Sequence, residues 1–436
     1  MNKILHGHAG ALNTFPPELD QKGCYNARMR ERLLMFSLGA LLSAALFFGI
    51  YQIPAVKYQL EWRLDAAVGI VRGWIYPGDT LPTPVGASSV VELPTPIPTH
   101  TPRPTLNLPT STPQPTPTPL PASANLDAPE WEKQDWNNCG PATLALALRY
   151  YGWEGDQFDI SDLLKPDRGD KNVNIDELIY FVRNRAGWLN SDYRVDGSLE
   201  ILKAFLAEGY PVIVEKGYVI ESDGPDVGWA GHYMLLTGYD DGAGVFIGQD
   251  TFIGPDRRVP YPELDQGWRQ FNRAYMYLYP LEDPPPLEDI LGEDMDQDVN
   301  RERALETAQI EIEANPEDAY AWFNLGTNLV YFERYREASN AYDRALALGL
   351  PWRFTRYQFG PYIAYFHSGR TEDVVELTNA TLKRTAKAEE SLLWRGWAKY
   401  RLGDVNSAIA DFRAALEVNP NYEDAQYALE FLGFGS

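Results

Sequence analysis

No globular core can form across residues 77 to 123. The segment consists of repeats such as TPIPTHTPRPT and TPQPTPTPLP, with Asp79, Glu92 and Arg103 as its only charges. It holds too few large apolar side chains to bury, and each proline removes a backbone donor. Alternating prolines favour the extended polyproline II helix, so at about 3.1 Å per residue this stretch is expected to be a semi-rigid stalk of up to roughly 140 Å. The 436 residues must therefore fold as separate parts on either side of it.

On the N-terminal side, Leu33 to Ile53 (LLMFSLGALLSAALFFGIYQI) contains no charge. Its length matches the roughly 20 residues that a helix needs to cross a bilayer. A single transmembrane helix is expected over 33–53, behind a tail of residues 1–32. The length of that tail favours an uncleaved anchor over a signal peptide. Arg28, Arg30 and Arg32 stand just before the span and Lys57 close behind it, which orients the N-terminus to the cytoplasm and everything beyond the stalk outside. Cys24 and Cys139 then lie on opposite sides and cannot pair. Between span and stalk, residues 54–76 interleave Tyr58, Trp62, Trp74 and Tyr76 with Lys57, Arg63 and Arg72. That pattern suits either a helix at the headgroup level or a plain spacer.

A formal charge of −23 excludes a nucleic-acid partner, because phosphate binding is driven by Lys and Arg. Two cysteines exclude a disulfide-stapled scaffold and zinc-finger spacing, and no metal or cofactor is expected.

Beyond the stalk, residues 124–280 read as an α+β domain. Apolar spacing predicts helices in Pro141–Tyr151, Ile160–Leu164, Ile175–Arg185 and Ser198–Glu208. The period then changes, and PVIVEKGYVI, HYMLLTGYD, GVFIGQD and RAYMYLYP are short β-rich runs bounded by Gly, Asp and Pro. Residues 281–299 form an acidic, proline-bearing linker. From 300 to 436 the pattern is entirely helical and repeats: Gly326, Ala338, Tyr342 and Ala345 recur as Gly396, Ala408, Phe412 and Ala415, each 70 residues later. That is about twice a 34-residue unit, and the run from Trp322, Leu325 and Gly326 to Ala345 resembles the tetratricopeptide repeat, as does Gly396 to Pro420. The unit between, around Tyr362 to Leu382, matches weakly. Ala304, Ala308 and Pro316 fit a lone second helix, and Tyr422 to Leu432 a capping helix. The resemblance implies an all-α solenoid that binds a protein partner.

The chemistry concentrates in QDWNNCGPATL, Gln134 to Leu144. Here a cysteine opens a helix, where the positive end of the dipole lowers a thiol's pKa, and a glutamine five residues upstream can join the Cys139 N–H in donating to an oxyanion. A nucleophilic thiol needs a base. His6 and His8 lie in the tail, His100 in the stalk and His367 in the repeats, which leaves His232, at the start of GHYMLLTGYDD. The next strand ends in Asp250, whose carboxylate could orient the imidazole. Gln134, the Asn-Cys-Gly-Pro run at Cys139, the His232 strand, Asp250 and Trp268 resemble, in that order, the bacteriocin leader-processing peptidases and related papain-like cysteine peptidase domains. The resemblance covers about 131–280. It implies Cys139 as nucleophile, His232 as general base, Asp250 as its orienter and Gln134 as oxyanion donor, acting on a peptide or protein substrate. Asn138 stands where transporter-associated members have Asp, and no ATPase or multi-span transporter is present, so bacteriocin export is not implied.

Two other functions fit parts of this pattern. One is a catalytically silent scaffold; the other is an NlpC-type cell-wall amidase, although those carry Asp-Cys-Ser-Gly around the nucleophile. Asp240 and Asp241 read as a turn. Trp136 and Trp229 suit either a substrate cleft or ordinary aromatic packing.

Overall fold

The uncharged N-terminal run, Leu33 to Ile53, lies inside helix α1 (Gln21–Tyr51) except for its last two residues. Its stretch Leu34–Tyr51 is, among the described residues, the one helical segment long and apolar enough to cross a membrane. Pro54 stops that helix and opens α2 (Pro54–Ile75), since a proline lacks the N–H a continuing helix needs but is tolerated in a first turn. The computed structural model describes residues 21–75, 80–84, 119–170, 172–220 and 228–435. The chain divides into two compact units between Leu64 and Asp65. Residues 1–20 of the tail and most of the stalk, 85–118, lie outside the described residues.

Both described ends of the stalk differ from a free-standing spacer. At its start, Thr80 forms an antiparallel bridge with Pro351, and Leu81 N donates to Leu350 O (3.1 Å). Leu81 is buried among the apolar residues of the helical repeats. At its end, Ser123–Asn125 forms strand β1. Local composition hides both contacts, because a single apolar side chain and three backbone groups suffice to make them.

The α+β domain begins with α3 (Cys139–Tyr150), α4 (Gln157–Leu164) and α5 (Ile175–Arg185), followed by β2 (Leu189–Arg194) and α6 (Leu199–Ala207). Then come β3 (Val212–Ile220), β4 (Gly228–Asp240), β5 (Val245–Asp250), β6 (Gly254–Pro260), α7 (Tyr261–Trp268) and β7 (Tyr275–Pro280). The strands make one antiparallel sheet in the order β2-β7-β3-β4-β5-β6, with β1 also paired to β4. Successive side chains of a strand point to opposite faces, and here both faces are covered. Tyr233, Leu235, Ile213 and Met276 enter a core with α3 and α5, while Met234, Leu236, Val214 and Tyr277 enter a second core with α6 and α7. This explains why the central strands read as nearly continuous apolar runs. The edge strands β2 and β6 are polar, LNSDYR and GPDRRVP, so hydrophobic pattern did not reveal them. Helix α3 lies in the middle and is buried from Gly140 to Leu148.

Residues 281–299 are folded rather than a loose linker. They hold α8 (Leu287–Leu291) and a 3₁₀ turn at Gly292–Met295, and Arg194 donates to the carbonyls of Asp294 (2.6 Å) and Met295 (2.9 Å).

The repeats follow as α9 (Gln297–Ala314), α10 (Ala319–Tyr331), α11 (Tyr335–Leu348), α12 (Gly360–His367), α13 (Thr371–Arg384), α14 (Glu389–Arg401), α15 (Val405–Val418) and α16 (Glu423–Phe431). The 70-residue offsets mark helix crossings. A Cβ at Gly326 would sit 2.6 Å from the Tyr342 ring, and one at Gly396 would sit 2.4 Å from the Phe412 ring. The weakly matching middle unit is the pair α12 and α13. The repeats pack directly on the α+β domain: Asn300 pairs with both the N–H (3.1 Å) and the carbonyl (2.9 Å) of Val195, and Asn272 Nδ2 donates to Asn328 (2.8 Å).

Candidate active site

Cys139 is the first residue of α3, so its N–H is among the donors that a helix N-terminus leaves unsatisfied. The loop before it turns through Asn137, which takes a positive φ of 53°. Gln157, at the start of α4, holds that loop from the side. Its Oε1 accepts from Asn138 Nδ2 (2.9 Å) and the Asp135 N–H (2.6 Å), and its Nε2 donates to Lys133 O (2.9 Å). Lys165, just past α4 and buried, donates from Nζ to the carbonyl of Asn137 (3.1 Å).

His232 sits in β4 and Asp250 at the end of the neighbouring β5, both buried. The imidazole Nε2 lies 2.9 Å from Asp250 Oδ1, which also accepts from the N–H groups of Phe252 and Ile253, each at 2.9 Å. With Nε2 taken, Nδ1 is the nitrogen left for a thiol, and the neighbours of the two residues touch: a Cβ at Gly140 would meet the Tyr233 ring at 3.4 Å, which brings Cys139 and His232 to the same place. Gln134 is tied to the same strand end. Its N–H donates to Thr251 O (2.9 Å) and its Oε1 accepts from the Thr251 hydroxyl (2.9 Å). The carbonyl side of the carboxamide is thereby occupied, and its N–H groups remain as donors. All four residues singled out from the sequence thus converge on one end of the sheet and the N-terminus of α3.

The electrostatics follow from this packing. Burial pushes the Cys139 thiol up, but the His232 hydrogen bond and charge, the Tyr233 N–H and the charge of Lys165 together bring it below its ordinary value. Burial works against a charged His232, yet its bonds to Asp250 and Cys139 and their charges carry it up to about 9. Asp250 is opposed by burial and held by His232 and the two amides at about 2. The arrangement favours a thiolate beside an imidazolium, the form in which a cysteine is most nucleophilic. Glu215, paired across the strands with Tyr233, is pushed well above the carboxylate range by burial and by the nearby Cys139.

Sequence reasoning missed Lys165, Thr251 and Glu215. A lysine after an apolar helix, a threonine after an aspartate and a glutamate inside a strand carry no local mark of where they meet. Trp229 does not stand in a cleft: its ring packs on Phe271, Phe354 and Tyr357, with Nε1 donating to Gln270 (2.6 Å). Asp240 and Asp241 close the β4–β5 turn and pair with Arg258 (3.0 Å) and Lys203 (2.6 Å). Among the described residues no group of three or more His, Cys, Asp or Glu side chains is gathered for a metal ion.

An antiparallel sheet carrying His and Asp, with a cysteine at the N-terminus of a helix packed across it, is the architecture of a papain-like α+β domain. In agreement, residues 125–278 match the Peptidase_C39 like family and residues 389–422 match the tetratricopeptide repeat. Among solved structures, it is similar to a candidate C39-like peptidase from Bacillus anthracis (18% identity, 36% of this chain, 96% of that chain, TM-score 0.29). It is also similar to xylellain, a cysteine protease from Xylella fastidiosa (14%, 37%, 87%, 0.28). YrrB, a tetratricopeptide protein with an unusual peptide-binding site, matches as well (18%, 34%, 74%, 0.28). Comparison with curated protein sequences returns no match.

Proposed function

We propose that residues 124–280 form a thiol peptidase, anchored by the helix over 33–53 and held outside the membrane, with the repeats at 300–436 binding a protein substrate or partner. The observation that carries this reading is one buried imidazole with a carboxylate on its Nε2 (2.9 Å), on the strand against which the Cys139 end of α3 packs. In the reaction, the Cys139 thiolate attacks the scissile carbonyl carbon and the carbonyl electron pair moves onto oxygen. The Cys139 N–H and the Gln134 carboxamide donate to that oxyanion. As the tetrahedral intermediate collapses, the C–N bond breaks and the leaving amine takes the proton from His232 Nδ1, leaving a thioester. A water then attacks, giving its proton to Nδ1. The C–S bond breaks, and the carboxylic product leaves with the thiolate restored. Asp250 keeps the imidazole turned so that Nδ1 faces the sulfur.

Arg28, Arg30 and Arg32 before the span support a cytoplasmic N-terminus. Protease added to intact cells should digest both folded domains, and their full protection would reverse the orientation. For the repeats, a hollow of about 380 Å³ lined by Phe366, Trp394, Trp397, Tyr400 and Phe431, on helices α12, α14 and α16, supports protein binding.

The chemistry is tested on the full chain in detergent with a thiol-reactive peptidyl probe. Cys139 should be labelled and turn over peptide, with Cys139→Ala abolishing both and His232→Ala suppressing both. Equal labelling of Cys139 with and without His232 would sink the reading.

A further inference from the structure

The thiol chemistry calls on no residue beyond 300, yet the repeats touch the supports of both reacting groups. On the nucleophile's side the support is α4. The carbonyls of a helix's last turn have no partner within the helix. Two of them, on Leu164 and Leu163, are taken from the other domain by Asn419 Nδ2 (2.9 Å) and Asn421 Nδ2 (3.0 Å), in the connection between α15 and α16. Asn419 is buried there. The next residue, Lys165, holds the carbonyl of Asn137, two residues before the cysteine. Lys387 pairs with Asp167 nearby (2.7 Å), and Glu389 of α14 contributes to the charge around Lys165.

On the base's side the support is the first part of β4. Arg353 Nη1 donates to the carbonyl of Trp229 (3.2 Å), whose ring packs against Phe354 (4.8 Å) and Tyr357 (5.6 Å). Tyr357 lies so close to Gly231 that a Cβ there would meet its ring at 2.9 Å. Gly231 immediately precedes His232. A proton passes between thiol and imidazole only across hydrogen-bond distance, and a misplacement of about 1 Å can cost on the order of 100-fold in rate. Contacts that hold α4 and the start of β4 to one rigid neighbour therefore act on the separation of the pair.

We propose that Asn419 and Arg353 are positioning residues for Cys139 and His232, so that the repeat domain completes the reactive site as well as binding a partner. This rests on the thiol-peptidase reading above. The test uses the full chain with Cys24→Ser, in detergent, and follows iodoacetamide alkylation of Cys139 against pH together with kcat and KM for a cleaved peptide. Asn419→Leu, close to isosteric but without the donor, and Arg353→Ala should each slow alkylation at pH 7 by roughly tenfold, within the range a small misplacement produces. Each should shift the rise of reactivity to higher pH and lower kcat more than KM. Arg353→Lys, which can still donate to the Trp229 carbonyl, should recover most of the loss.

Helical circular dichroism and the thermal midpoint give the folded fraction of each variant. Profiles that superimpose on that of the unsubstituted chain, or losses that only follow the unfolded fraction, overturn the positioning role. If His232→Ala leaves alkylation unchanged, the peptidase reading fails and the positioning role falls with it. If alkylation depends on His232 but not on Asn419 or Arg353, only the positioning role is lost.

Discussion

Asp250→Asn separates the charge of the third site residue from its geometry. Three donors converge on Oδ1, while Oδ2 is buried and has no hydrogen-bond partner among the described residues. An asparagine can therefore keep its carbonyl oxygen on His232, Phe252 and Ile253 and place its NH₂ where Oδ2 stood. All three bonds survive and the charge is lost. A hydrogen bond to a charged group contributes about 1.5–3 kcal/mol, against roughly 0.5–1.5 for a neutral one. The difference of about 1–1.5 kcal/mol is close to the 1.36 kcal/mol of one pKa unit. His232, held at about 9 in the unsubstituted chain, should fall by about one unit, which brings the loss of the imidazolium that much closer to neutral pH.

The sign follows from the folded state favouring the imidazolium. Its contribution is complete below the ordinary histidine value of about 6.5 and is lost as pH rises through about 9. The substitution brings that loss to lower pH. Asp250→Ala is different in kind, since it strands the buried His232 donor, at about 1–3 kcal/mol, together with two partly buried amides. Its rate should approach that of His232→Ala. The assay is peptide turnover against pH in the Cys24→Ser chain. The reasoning is refuted if Asp250→Asn leaves the alkaline limb near 9, or if it is as damaging as Asp250→Ala.

Gln134→Ala should lower turnover by about 100- to 1000-fold, the range for loss of one oxyanion donor, with alkylation of Cys139 largely spared; suppression as strong as that of His232→Ala would withdraw the oxyanion role. Gly396→Leu should destabilise the repeats by roughly 1–3 kcal/mol through overpacking, because even a Cβ there meets the fully buried Phe412 ring at 2.4 Å. An unchanged thermal midpoint would show that α14 and α15 do not cross as closely as described.

Much of this protein is legible in its residues because the relevant physics is local. Twenty-one uncharged residues in a row, a proline-rich stretch, a 70-residue recurrence of Gly with a partnering aromatic, and Cys139 opening an apolar helix each depend on neighbours along the chain. Helix and strand periods carry such information, and the helices over 141–151, 175–185 and 405–418 and the strands around Val212, His232, Val245 and Tyr275 follow from it. Polar edge strands do not, because the side chains of β2 (LNSDYR) and β6 (GPDRRVP) alternate no apolar face with a polar one. The order Gln134, Cys139, His232, Asp250 was also readable, since chemistry restricts which residue types can serve. The packing of the domains was not. Composition makes 77–123 a semi-rigid stalk and 281–299 an acidic linker, and gives no sign that Leu81 is buried in the repeats or that Arg194 holds the carbonyls of Asp294 and Met295. Lys165 on Asn137, Thr251 on Gln134, and Asn419 on Leu164 have the same origin. Each is one or two hydrogen bonds between residues that have no periodic relation along the chain, so only the tertiary structure decides that they meet.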